Sequence, residues 1–467
     1  MNKEIVTPNI KNFIKSLRDI GYSLDIAIAD IIDNSITAKA KNIYIQAHQE
    51  PELTLSIFDD GYGMNELEVV EAMRLSSKDP DEIREKDDLG KFGLGLKTAS
   101  FSQCKKITVL SKKGNNISAK RWDLDYISES NEWYLITPQQ IEIENYFFYK
   151  KLFETESGTV IVWENIDRYP KNDFINLISS LQKHLSLVFH RFIEENKIKI
   201  YINNGEIEAF NPFNPDHLAT QQIPIEEIVF QDEKIKIQPY ILPHHSKMSQ
   251  EDYDRYATED GYIKSQGFYL YRANRLLMYG TWWGLHKAND AHKLVRIKID
   301  ISNSQDSYWG IDVKKSIAKP HLMIRNDLKR IISTITPKSS RVYTGKAKIL
   351  EDRNTEKTWD IFSDDGNFRF GINKEHSLLK KLKEIQNEEG KELLQLYLKM
   401  IEMYLPLASI QAHLQEHPLK VKQETALTND ELVEIVEKLK SLNISEEYMQ
   451  ILLKTELVKK MGEILNV

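Results

Sequence analysis

Apolar positions recur at helical spacing near the start of the chain. Ile10, Phe13, Ile14, Leu17 and Ile20 share one face, and Gly21 stands where a helix would end. The spacing predicts a helix over 9–20. From Ser23 the pattern changes, because Leu24, Ile26, Ala27, Ile28, Ile31 and Ile32 cover most of a helix's girth, as in a helix buried in a core. A period of two follows in Ile43-Tyr44-Ile45 and Leu53-Thr54-Leu55-Ser56-Ile57, across a turn with Glu50 and Pro51, and predicts an antiparallel pair. Helices are expected over 66–73 and 94–101. Strands are expected over 106–111 and 118–123, around the turn Lys113-Gly114-Asn115-Asn116, and over the apolar run Gly158 to Trp163. The segment 76–88 is almost wholly polar and reads as a lid. The fold class that follows is an α/β (α+β) sandwich with a mixed, mainly antiparallel sheet.

Downstream, a long helix over 172–195 and strands over 198–202, 207–210 and 233–242 open a second α/β unit. Gly267 to Tyr271, Leu294 to Ile301 and Ile311-Asp312-Val313 add strands to it. A mostly polar stretch after Pro337 suggests a boundary. Beyond Glu375, Leu378, Leu379, Leu382 and Ile385, then Leu393, Leu394, Tyr397, Ile401, Tyr404 and Leu405, repeat at helical spacing. Three regions are expected, at 1–168, 169–337 and 338–467, the last helical.

The composition fits this division: 467 residues, 41% hydrophobic and 28% charged, allow two or three domains with ample cores. Apolar runs break well before the roughly 20 residues of a membrane span, and Met1 to Ile5 carries no apolar signal core, so a cytoplasmic protein with no membrane partner is expected. The single cysteine, Cys104, excludes an internal disulfide and a multi-cysteine metal site, and reads as a packing residue. A net charge of −7 opposes a generally basic surface. Lys105, Lys106, Lys112, Lys113, Lys120 and Arg121 nevertheless crowd one stretch, either as a solvated hairpin edge or as a DNA contact. His244-His245 reads as a loop pair, Trp282-Trp283 as a core plug, and the C-terminal leucines as helical core.

Three clusters carry chemistry. In Ala29-Asp30-Ile31-Ile32-Asp33-Asn34, Asp30 and Asn34 lie one helical turn apart on one face. Asn34 offers an amide oxygen for a hard cation, and Asp30 a carboxylate able to orient and deprotonate water. Two polar residues on an outer helix face would be the plainer account, but this helix is too apolar to leave a face outside. In Asp59-Asp60-Gly61-Tyr62-Gly63-Met64, a carboxylate at a strand end can accept an exocyclic amine, and the glycines permit close approach; such a run also serves as a simple turn. In Gly90-Lys91-Phe92-Gly93-Leu94-Gly95, glycines lead into a helix whose free N–H groups suit phosphate.

In this order and spacing, from Gly21 to Thr159, the clusters resemble the GHKL ATPases, the superfamily of gyrase, the large heat-shock chaperone, histidine kinases and MutL. The resemblance implies binding of ATP and Mg²⁺, with Asn34 the metal ligand, Asp59 the adenine-binding acid, Gly61, Gly63 and Met64 the turn beneath the base, and Thr159 a support for Asp59 through water. It implies a lid over the phosphates from Gly90, Lys91, Phe92, Gly93, Leu94 and Gly95, and Lys91 and Lys97 are alternative phosphate contacts to a second-domain lysine. Gly90 to Lys97 looks like the MORC and MutL branch, whose bacterial members are often associated with restriction-like defence loci. Phe268-Tyr269-Leu270-Tyr271-Arg272-Ala273-Asn274-Arg275-Leu276-Leu277 resembles the second-domain strand and turn of that branch, which implies a transducer-like domain.

Hydrolysing members carry Glu where this chain has Asp30, and one methylene fewer withdraws the carboxylate by about 1.5 Å. Slow hydrolysis is the expectation. In gyrase, MutL and MORC a second-domain lysine reaches the γ-phosphate. Here the strand end Trp309 to Ser316 offers Lys315 first, Lys314 second, and Lys319 follows third. The resemblance thus implies a slow ATPase acting as an ATP-gated homodimeric clamp in DNA-related defence or repair, with DNA and other defence or restriction-system proteins as partners. A non-hydrolysing nucleotide-sensing scaffold is the main alternative; a chaperone or a histidine-kinase domain ranks below it.

Overall fold

The structure is a computed structural model that describes residues 3–4, 9–75, 89, 95–169, 173–312, 317–349, 356–364, 367–416, 431 and 434. The opening helix, α1 (Ile10–Arg18), is capped by the Asn9 side chain, and α2 (Leu24–Thr37) starts after Ser23 with nine of its residues buried. β1 (Asn42–His48) and β2 (Thr54–Asp59) pair antiparallel in register Ile43↔Asp59. α3 (Glu66–Met73) carries a reciprocal capping box between Asn65 and Glu68. α4 (Gly95–Gln103) then runs straight into β3 (Cys104–Lys113), which turns back into β4 (Asn116–Asp123).

Three short helices, α5 (Leu124–Ser130), α6 (Gln140–Glu144) and α7 (Tyr149–Glu154), lead to β5 (Ser157–Ile166). On β5, Ile161 and Trp163 face the main core with α1, α2 and α4, whereas Val160 and Val162 face a smaller core with Phe148 and Leu152. Burial on both faces is why this strand reads as a continuous apolar run instead of an alternating one.

The helix expected over 172–195 is two helices, α8 (Phe174–Val188) and α9 (His190–Glu194), joined at Phe189. The strand after them does not open a second unit. β6 (Lys199–Ile202) pairs parallel with β1, and β7 (Gly205–Glu206) follows it, completing a seven-stranded sheet in the order β4-β3-β5-β2-β1-β6-β7. A parallel neighbour needs a crossover, and α8 supplies it by packing against α2 on the core face. Residues 207–210 are irregular rather than a strand.

The second sheet holds β8 (Gln221–Gln222), β9 (Glu226–Phe230), β10 (Glu233–Ile241), β11 (Gly267–Arg272), β12 (Arg275–Thr281) and β13 (Val295–Ile301), in the order β12-β11-β13-β10-β8 with β9 also on β10. The expected strand at 311–313 is absent over Ile311 and Asp312, which are irregular. α10 (Gln250–Ala257) and α11 (Gly261–Ser265) precede β11. The helix α12 (Leu322–Ile349) runs through Pro337. Proline in a helix interior costs about 3 kcal/mol, and burial of Ile324, Leu328, Ile331, Ile332 and Ile335 on one face exceeds that.

Chain contacts define one compact unit of Met1–His244 with Asp254–Ser340, which contains both sheets, and another of His245–Tyr253 with Arg341–Val467. The second unit contains a hairpin, β14 (Trp359–Asp364) and β15 (Asn367–Ile372), where only helices were expected, followed by α13 (Ser377–Ile385), α14 (Glu388–Met403) and α15 (Leu407–Glu416). Leu393, Tyr397 and Tyr404 are exposed, not the helical core their spacing suggested. Among the described residues no helix is long and apolar enough to cross a membrane.

Candidate functional site

Asp59 ends β2 with its carboxylate turned inward. Oδ2 accepts from the Ser35 hydroxyl at 2.9 Å and Oδ1 from the Gly61 amide at 3.0 Å. Burial pushes its pKa up to about 6, against the Gly61 and Ser35 hydrogen bonds that pull it down. Asp60, its neighbour, faces the other way and accepts from the Lys41 and Asn42 amides at the start of β1. Asp60 thus ties the end of β2 to the start of β1, while Asp59 points into the interior.

The glycines beside Asp59 are sterically required. A Cβ on Gly61 would lie 2.8 Å from Asp59 Oδ1 and from the Ala38 carbonyl oxygen, and one on Gly63, at φ +64°, would lie 1.9 Å from the Lys112 carbonyl oxygen. Thr159 stands opposite Asp59 in the β2–β5 register. Its hydroxyl meets Ser111 Oγ at 2.8 Å, and Ser111 also accepts from the Met64 amide at 2.8 Å. Ser35 and Ser111 are thus site residues that the cluster pattern did not single out; nothing in their local sequence distinguishes them from turn or helix serines.

One helical layer away, Asp30 is buried on α2, not on an outer face. Its Oδ2 accepts from the Tyr22 hydroxyl at 2.9 Å. Burial, and then the charge of Asp30, push the Tyr22 pKa up, so the phenol remains a donor at neutral pH. Asn34 lies one turn on and is exposed. Its Nδ2 donates to the Asp30 carbonyl at 3.1 Å, which leaves Oδ1 as its outward acceptor. An amide oxygen held in this way fits a hard cation. Among the described residues no group of three or more His, Cys, Asp or Glu could hold a metal ion, and Mg²⁺ bound through one protein oxygen, water and phosphate needs none.

Gly95 begins α4 beside Asp30; a Cβ there would lie 3.9 Å from Asp30 Oδ2. Lys97, buried on α4, donates to the Ala72 carbonyl at 3.0 Å and so ties α4 to the end of α3. Gly90, Lys91, Phe92, Gly93, Leu94, Lys314 and Lys315, and the 76–88 lid, lie outside the described residues. Lys319 is exposed, with its backbone amide donating to the Trp309 carbonyl.

The second sheet enters the site through the hairpin β11–β12. Its two turn residues, Ala273 and Asn274, have φ of +46° and +70°, the backbone of a tight hairpin turn matched to strand twist. Arg272 and Arg275 flank the turn as a registered pair, both buried. Arg272 grips Asp306 with two hydrogen bonds, at 2.7 and 2.9 Å, and donates to the Leu89 carbonyl at 3.2 Å. Arg275 donates to Asp33 Oδ1 at 2.8 Å and to Asp30 Oδ1 at 3.4 Å. Asp33 is as buried as Asp30, and this guanidinium faces both carboxylates on one helix turn. The visible signal was two arginines in an otherwise apolar strand pair.

The basic stretch is a paired hairpin edge: Lys113 meets Glu68, Lys120 meets Glu66, Lys105 meets Asp125, and Arg121 meets Glu142. Cys104 is buried and free, and burial pushes its thiol pKa up, as befits a packing residue. Trp282 is buried and Trp283 stacks on Phe268 with centroids 4.9 Å apart, in keeping with a core plug.

Residues 22–159 match the family model described as Histidine kinase-, DNA gyrase B-, and HSP90-like ATPase. The match supports the GHKL superfamily for this segment and, with it, ATP binding. No curated protein matches the chain.

Proposed function

We propose that the protein is a Mg²⁺-dependent ATPase of slow turnover. The observation that carries this reading is Asp59: a buried carboxylate held from two sides beneath a glycine turn that no side chain could occupy, and so ready for the amine of adenine. Asn34 Oδ1 would hold Mg²⁺ against the phosphates, where the ion would offset phosphate charge. Asp30 sits within reach of the segment start at Gly95. In hydrolysis a water oxygen bonds to the γ-phosphorus, the bond from that phosphorus to the bridging oxygen breaks, ADP leaves, and Asp30 takes the water's proton. Aspartate in place of glutamate, already engaged by Tyr22 and Arg275, favours a slow rate.

The dimeric clamp, kinship with MORC and MutL, and work on DNA in defence or repair are carried by the sequence resemblance, and they remain part of this proposal. A second reading, an ATP-sensing scaffold that does not hydrolyse, draws on the same engagement of both Asp30 oxygens.

Fluorescent ATP binding and phosphate release test both. Under the first reading, Asn34→Ala weakens Mg²⁺-dependent binding, and Asp30→Ala abolishes phosphate release while sparing binding. Binding with no phosphate release above a protein-free control selects the scaffold. Light scattering during size exclusion, with a non-hydrolysable analogue and with or without DNA, tests the clamp, and a monomer under every condition removes it.

A further inference from the structure

The carboxylate expected to activate water is not oriented by the first sheet and its helices alone. Asp30 has two oxygens, and each has a donor: Tyr22 at the start of the family-matched segment, and Arg275 from a hairpin more than a hundred residues beyond its end. Asp33, one turn away on the same helix, shares the guanidinium. Two buried carboxylates this close repel each other, and neither is comfortable without a cation. Phe189 lies beneath the guanidinium, 5.9 Å from its carbon, and Arg275 Nη1 also donates to the Leu276 carbonyl at 3.4 Å. The arginine is therefore itself held in place, as a residue that positions others must be.

We propose that Arg275 is a positioning residue for ATP hydrolysis. Together with Tyr22 it holds both oxygens of Asp30 and so sets the orientation of the carboxylate that takes the water's proton, and turnover depends on the docked β11–β12 hairpin. The shorter aspartate makes this dependence sharper. A carboxylate withdrawn by about 1.5 Å tolerates little further misplacement, since misplacement on the order of 1 Å can cost a hundredfold in rate. Arg272 reinforces the docking from the other end of the turn: it ties the hairpin to Asp306 and to the Leu89 carbonyl, next to the glycine segment. The proposal rests on the hydrolytic reading of the site above.

The test compares wild type with Arg275→Gln, Arg275→Lys and the double variant Asp33→Asn/Arg275→Gln. The double variant removes one of the two buried carboxylates together with the guanidinium between them, so it retains the fold where the single glutamine variant does not. Each is measured for thermal melting, for fluorescent ATP affinity, and for kcat and KM of phosphate release. Positioning predicts that the double variant loses kcat by about thirtyfold or more, with KM and ATP affinity within about threefold of wild type. Arg275→Lys recovers part of the rate, because one ammonium can reach one carboxylate but not both. A folded double variant with wild-type kcat overturns the positioning role, as does a loss of ATP affinity that matches the loss of rate. Wild-type protein that binds ATP without releasing phosphate overturns the hydrolytic reading instead, and the positioning role falls with it.

Discussion

The two ends of the candidate nucleotide site are built on different plans. At the adenine end, Asp59, Gly61, Gly63, Ser35, Ser111 and Thr159 all come from the first sheet and the helix packed on it, and all lie within residues 22–159. At the phosphate end, Asp30 and Asp33 are completed by Arg275, and Leu89 by Arg272, both from the second sheet. The adenine end is thus a local product of one domain. The phosphate end is assembled only when two sheets of one compact unit meet. On the proposed reading, such a site binds a base whatever the second sheet does, yet processes phosphate only when that sheet is in register.

Substitutions can break each plan separately. The largest effect is expected at Gly63, whose φ of +64° and 1.9 Å approach to Lys112 leave no room for a side chain. Gly63→Val should destabilise the first sheet by about 4 kcal/mol or more and abolish binding of any adenine nucleotide. Gly114→Ala, at φ +66° with nothing within 4 Å, is its control and should cost only about 1 kcal/mol in urea unfolding. Next comes Arg272→Ala. It removes the two-bonded guanidinium from a buried Asp306 and should cost about 3 kcal/mol by the same measurement, while adenosine binding by the folded fraction is preserved. Loss of adenosine binding in that fraction would mean the two ends are not separable.

Asp59→Ala should leave the fold intact and weaken ATP and adenosine alike, by about a hundredfold in a calorimetric titration. The pH dependence at Asp59 sharpens the comparison further. Its pKa of about 6 lies above the ordinary value of 3.8, so the folded protein binds this proton more tightly than the unfolded chain. The group's contribution to stability is therefore full below pH 3.8 and is lost as pH rises through about 6. Adenosine, which donates its amine to the carboxylate, should show the reverse: affinity is full above pH 6 and falls by up to about tenfold per unit below it. A flat adenosine profile between pH 5 and 7 would remove Asp59 as the base acceptor. The smallest effect is expected at the hairpin edge, where Lys113→Ala breaks an exposed pair with Glu68 and should change stability by less than about 1 kcal/mol.

Much of this was legible in the chain itself. The apolar girth of 24–32 gave a buried helix, and the helix expected over 66–73 is α3. The alternation in 43–57 gave the β1–β2 pair, and the glycines after Asp59 gave its turn. These features depend on neighbours within a few residues, and periodicity encodes them directly.

What the sequence could not decide was which distant elements share a surface. β6 looked like the start of a second unit, because its pattern is the same whether it joins one sheet or the other; only the crossover through α8 places it beside β1. The compact units divide after Ser340, in the polar stretch that follows Pro337, but that the helix continues through the proline is a tertiary matter, because the proline's cost is local while the buried face that offsets it is not. Asp30 was readable as a carboxylate on a buried helix, and so as a group in need of a partner. That one of its partners is Arg275, 245 positions away, was settled by how the two sheets dock. Spacing fixes which side chains share a face, and only packing determines what that face meets.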